Sequence, residues 1–182
     1  MKKYRGSMEI IKVLITINEK MRIADIREDL FIGAGGVIIM PFDIVETDSE
    51  SVAKRMWDRE RVRQFIVETE QELGILKGTL SGYNEEFLPN KIEVLERIVL
   101  SNTSVYVVTA HTYFAMKCVG GIREETILSD TAELYDVMKI AGISEVAQAE
   151  SIIEKHYGTY TVPSDTLERL SEICKTIREE SI

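Results

Sequence analysis

The sequence is poor in the residues that usually announce a mechanism: 3 prolines, 2 cysteines, 2 histidines and 1 tryptophan in 182 residues. Cys118, Cys174, His111 and His156 are too few and too widely spaced for a structural zinc site, which needs four ligands at short paired intervals. The two thiols read as buried or idle groups of a reducing compartment. Long apolar runs are missing as well. Val37–Met40 and Val105–Val108 are among the longest, far short of the roughly 20 residues that cross a bilayer. No basic start followed by an apolar core and a small-residue cleavage site is present. The expected setting is therefore the cytoplasm, without a membrane partner. Positive charge is also scarce, with a formal net charge of −9. Nucleic acid is an unfavoured partner on that ground, because phosphate contacts require clustered Lys and Arg. Residues 1–30 hold seven Lys/Arg against five Asp/Glu, whereas residues 31–182 hold 15 against 26. Only the first segment has even a slight basic excess.

What is present is a chain with 45% apolar residues, long enough for one buried core plus a small accessory piece. Ile10, Ile11, Leu14 and Ile17 share a helical face, and Ile23, Ile26 and Leu30 continue at helical spacing. Residues 1–36 thus read as a helical N-terminal segment. They supply no basic third helix, which demotes a DNA-reading helix-turn-helix. The Gly33–Gly36 run lies after a helix and before an apolar run, the inverse of a phosphate-cradling loop. It reads as a turn into a buried strand at Val37–Met40.

Residues 37–182 read as a single α/β domain with a helical insertion at about 48–76. Thr47 to Glu50 has capping-box spacing and opens a helix carrying Val52, Met56, Val62, Ile66, Leu73 and Leu76, broadened by Trp57 and Phe65. Glu60, Glu68, Glu70 and Glu72 lie along it as a solvated face. Asn90 is placed to cap a helix over "KIEVLERIVL", with Ile92, Leu95, Ile98 and Val99 inward. "VYVVTA" has the β-branched density of a buried strand. "REETILSD" and "TYTV" read as short strands. Helices are expected to end at Gly142 and Gly158, and a last helix capped by Ser164 or Asp165 carries Leu167, Leu170, Ile173 and Ile177. The alternation favours a parallel sheet flanked by helices.

In such a sheet ligands bind beyond the carboxyl ends of the strands. The residues there are Asp43 after "VIIMPF", Thr109 after "VYVV" and Asp130 after "TILS". Two acids and a hydroxyl at one crevice suit magnesium-assisted phosphoryl transfer, because hard carboxylate oxygens hold the metal and a hydroxyl holds phosphate oxygens.

On these residues the chain resembles the haloacid dehalogenase (HAD) superfamily of phosphatases. "FDIVETDSES" is similar to that family's first motif, "VYVVTAH" to its second, and "LSDTAELYDVMKIAG" to its fourth. The resemblance spans roughly Val37 to Ile177 and is most specific from Ile127 to Leu170. It implies a HAD/Rossmann-like fold, Asp43 as nucleophile, Thr109 as phosphate-binding hydroxyl, Mg²⁺ held by Asp43 and Asp130, and Lys117, with Arg123 behind it, steadying a small phosphorylated molecule. Val45 stands where the family has its second Asp, the proton donor to the leaving group, and loss of such a group costs about a hundred- to ten-thousand-fold in rate. Leu134 replaces another metal-side Asp, with Asp136 two residues on. Thr109, Asp130 and Asp43 also have structural roles open to them, as a strand-end residue, a helix cap and a local turn; His111 reads as a packing histidine.

Two functions follow. One is a weak Mg²⁺-dependent phosphohydrolase, or a binder of a phosphorylated ligand. The other is a non-catalytic regulatory or assembly protein, ligand-sensing or homo-oligomeric, transcription-related in one version, whose N-terminal segment contacts a partner.

Overall fold

The computed structural model describes residues 7–33, 38–39, 49–75, 80, 88–119 and 127–180; side chains at 7–9, 38–39, 49–53, 55 and 127–130 are outside the description. The chain divides into two compact units, one of Met1–Glu85 with Leu95–Val107 and the other of Glu86–Val94 with Val108–Ile182.

The first unit begins with α1 (Ser7–Ile23), whose Val13, Leu14, Ile17 and Met21 recur at helical spacing and are buried. The helix stops at Asp25, a non-glycine residue with φ of 52°. There the Ile26 N–H reaches back to the Met21 carbonyl at 2.9 Å, closing orphan carbonyls as a left-handed terminus does. The turn aims the chain into β1 (Leu30–Ile32). β2 (Ile38–Ile39) pairs antiparallel with β1, Phe31 opposite Ile39. The long α2 (Ser49–Glu72) follows. β3 (Val94–Val99) and β4 (Ser104–Val108) complete a sheet of order β2-β1-β4-β3. β4 runs parallel to β1, with Phe31 opposite Tyr106. β3 and β4 are sheet neighbours joined by a turn too short for a crossover, so they form a hairpin. Leu100 N–H bonds the Thr103 carbonyl at its tip.

Alternation puts Leu30, Ile32 and Val105 on one face of this sheet, where they share a core with Leu14, Ile17 and Met21 of α1 and Val62, Phe65 and Ile66 of α2. Full burial of such side chains contributes about 1.5–3 kcal/mol each. Lys20 of α1 bridges Glu68 at 3.0 Å and Glu72 at 2.7 Å of α2.

The second unit is helical: α3 (Ala110–Val119), α4 (Ile127–Ala141), α5 (Val146–Tyr157) and α6 (Ser164–Glu179). Its core holds Tyr113, Phe114, Met116, Leu134, Met138, Ile143, Ile153, Leu170 and Ile173, all buried. α4 ends at Gly142, whose φ of 70° is the left-handed conformation a side chain resists. The α5 start is tied by Gln148, whose Oε1 accepts from the Ser144 and Glu145 N–H groups.

Several sequence expectations are corrected. The chain is α/β, but its sheet is mixed, and among the described residues its parallel pairing is β1 with β4. The link from β1 to the "VIIM" run is too short for a crossover, so that run pairs antiparallel. Of the span expected as a separate N-terminal segment, the described α1 and β1 share the core of α2 and β4. "KIEVLERIVL" forms β3 rather than a capped helix, and Leu95 and Val99, expected inward, are 75% and 67% exposed. Ile127–Asp130 is the opening of α4 rather than the end of a strand, and residues 159–162 lie outside any strand. Glu70 is buried, not solvated, and its Oε1 accepts the Leu80 N–H at 2.6 Å. Pro163 occupies the α6 N-cap position, leaving Ser164 and Asp165 inside the first turn. None of the described helices is long and apolar enough to cross a membrane.

Candidate functional site

Thr109 follows β4 and immediately precedes α3, so the strand-to-helix geometry expected around it is present. Its hydroxyl oxygen accepts the Thr112 N–H at 3.2 Å. That bond satisfies one of the four unpaired donors at a helix start. The Thr112 hydroxyl lies 3.1 Å from the same oxygen and donates to the Glu93 carbonyl, while the Thr109 N–H also bonds that carbonyl at 2.9 Å. Thr109 therefore ties the start of α3 to the segment leading into β3.

Lys117 sits in the last turn of the same helix. Eight residues of helix separate it from Thr109, a rise of about 12 Å. The two side chains expected at one phosphate occupy opposite ends of α3. Lys117 pairs with Glu133 of α4 at 2.8 Å, and the Tyr113 hydroxyl donates to the other Glu133 oxygen at 2.5 Å. Lys117 also lies over the Tyr113 ring, 5.9 Å from its centre. Asp130 is the fourth residue of α4, one turn before Glu133, so its backbone lies near the same α3–α4 contact. Asp43 and Arg123 fall outside the described residues. Among the described residues no group of three or more His, Cys, Asp or Glu is disposed to hold a metal ion.

A second polar centre was not anticipated from the sequence. Glu93 accepts from Lys155 at 2.8 Å and faces Lys91 at 3.4 Å. The bonds to Lys155, and then Lys91, hold its carboxyl below the usual carboxylate range, with the nearby His156 adding to them and partial burial opposing. His156 is completely buried. Its Nδ1 is 2.7 Å from the Lys91 carbonyl, an acceptor only, so Nδ1 carries a proton. Its Nε2 is 3.9 Å from Glu93 and has no hydrogen-bond partner. The two lysines already neutralise Glu93, so this centre fastens α5 to the segment before β3 and is poorly suited to a further cation. His111 is half-buried, with Nε2 3.1 Å from the Ala141 carbonyl, and borders an open groove of about 470 Å³ with Gly142, Gln148 and Ser151. It packs, as the sequence indicated.

The remaining feature is the free side of the first unit's sheet. Phe31 and Tyr106 stack with ring centres 5.0 Å apart, and the Arg97 guanidinium lies 5.4 Å over Tyr106 while donating to the Ser104 hydroxyl at 2.9 Å. These residues share the face opposite the helices. Among the described residues β3 is the outermost strand, and its exposed Leu95 and Val99 lie on that face with Arg97 between them. Sequence reasoning missed this surface because "KIEVLERIVL" also satisfies a helical spacing. The usable signal was "RIVLSNTSVYVV", two β-branched runs around a short polar turn.

Fold and site together define an α/β protein of two compact units, one a mixed sheet under two helices and the other a helical bundle. Comparison with protein-family models, with curated proteins and with solved structures finds no match.

Proposed function

We propose that this chain is a non-catalytic assembly protein that works by strand addition at the open edge of its mixed sheet. The exposure of β3 carries this reading. An edge strand presents unpaired N–H and C=O groups, and proteins commonly blunt such edges with proline, lysine or very short length. β3 has six residues without proline or lysine, its charges being one acid and one base, and of its four apolar side chains Leu95 and Val99 are largely solvent-exposed. The N-terminal segment is not the contact surface in this reading, since α1 is spent on the core. Concentration-dependent amide exchange tests it: the outward amides of β3 gain protection as protein concentration rises or a binding strand is added. Exchange at β3 that is fast under every condition would count against it.

A Mg²⁺-dependent phosphohydrolase, or a binder of a small phosphorylated molecule, is the second reading. One observation favours it: Lys117 points to α4 within a turn of Asp130. Phosphate release from a simple phosphomonoester, dependent on Mg²⁺ and abolished by Asp43→Asn, would establish this reading in place of the first. Inert protein with no stabilisation by Mg²⁺ or phosphate removes it.

A further inference from the structure

The geometry points to a second copy of this chain as the strand that occupies β3, paired antiparallel about a two-fold axis at Arg97. The inference rests on the assembly reading and adds the partner and the register. The Leu100–Thr103 bond at the hairpin tip, with Arg97 beside Tyr106 and Ser104, sets the β3–β4 register. Alternation from that bond, with Arg97 over Tyr106, turns the backbone groups of residues 98 and 96 toward β4 and those of 99, 97 and 95 outward; the Thr109 N–H to Glu93 carbonyl bond has the other parity, so the register shifts by one residue at the start of β3. A strand added at the outer side must therefore bond to 95, 97 and 99.

A two-fold axis perpendicular to the sheet pairs residues of like parity, and the register with greatest overlap of these donors sets Arg97 opposite Arg97 of the second copy. Leu95 then faces Val99 of the second copy on both sides of the axis. Both exposed apolar side chains of each strand are thereby covered, and cross-strand pairs of this type stabilise by about 0.2–1 kcal/mol. The like charges at the axis do not block the pairing, because each Arg97 is drawn back toward its own β4 by Tyr106 and Ser104. β3 carries one acid, Glu96, and one base, Arg97, so its net charge is zero in a chain of −9. The contact zone is spared most of the repulsion between two acidic copies. Six residues are well short of the roughly 20–30 per side of a stable interface. The association is accordingly weak and depends on protein concentration.

Cross-linking of the full chain tests both partner and register. Arg97→Cys places two thiols at a hydrogen-bonded pair, about 5.5 Å apart at Cα and within the reach of a disulfide. It forms a covalent dimer under mild oxidation. Leu95→Cys alone stays monomeric, because its two copies are about 13 Å apart along the strands. Mixed with Val99→Cys, it yields the heterodimer. The native thiols do not compete, since Cys118 and Cys174 are buried. In the wild-type chain, sedimentation shows reversible dimerisation, and Leu95→Lys weakens it by at least about tenfold with the melting transition retained. A monomer at every concentration, or equal cross-linking from Leu95→Cys and Arg97→Cys, overturns the inference, whatever other strand the edge accepts. Phosphate turnover in the same samples would instead overturn the underlying assembly reading.

Discussion

At the scale of single residues, Thr109 and Lys117, the two described side chains that suggested chemistry, are engaged in structure. Thr109 fastens the start of α3, so Thr109→Ala is expected to destabilise the chain by about 1 kcal/mol; urea unfolding reads the loss. A Thr109 committed to phosphate would instead leave stability unchanged when removed and take ligand-induced stabilisation with it. Asp25 closes α1 in a left-handed conformation, which an L side chain adopts at a cost of about 1 kcal/mol or more. Asp25→Gly is therefore expected to gain up to about 1 kcal/mol, less the extra freedom of glycine in the unfolded chain. Cys118 is buried, and desolvation pushes its thiol far above the ordinary range; burial also raises Cys174. Both should resist alkylation in the folded state and react on unfolding. The sequence supports the same quiet role for these thiols, since two isolated cysteines have no partner ligands.

At the scale of elements, the Glu93 centre has a definite pH signature. Its folded carboxyl is held down chiefly by Lys155, then by Lys91 and His156. A depressed carboxyl contributes stability that is present above the unfolded pKa, about 4.3 for glutamate, and is lost as pH falls through the folded value. The melting temperature of the wild-type chain should accordingly fall as pH drops below about 4, and Glu93→Gln should flatten part of that fall. A slope identical in the two proteins would show that Glu93 is not linked to folding.

Elements also show how far the sequence was legible. α1, α5 and α6 are plain in it because an apolar stripe at 3.6-residue spacing has one economical use, and Gly142 and Gly158 mark ends that favour a left-handed residue. β3 was not, because Ile92, Leu95, Ile98 and Val99 fit a helix and the deciding term, pairing with β4, is non-local. The start of α4 was misread for the opposite reason: "TILS" is β-branched, yet the segment continues into a helix. The candidate site inherited that error. Asp130 was placed at a strand end by local composition, and its helical setting follows from packing of α4 on α3, which no short window contains.

At the scale of the whole molecule, a chain of net charge −9 carries, among its described residues, a sheet-edge strand β3 with one acid, one base and exposed Leu95 and Val99. Strand addition is the interaction proposed for that edge. The expected size of the contact, six residues per copy, predicts a weak and reversible association rather than a permanent one. Sedimentation velocity of the full chain over a wide concentration series, wild type beside Leu95→Lys, tests this most directly. The wild-type sedimentation coefficient is expected to climb from monomer toward dimer with concentration, while the Leu95→Lys protein remains folded and monomeric over the same range. Identical behaviour of the two proteins, both monomeric throughout or both dimeric, would contradict it.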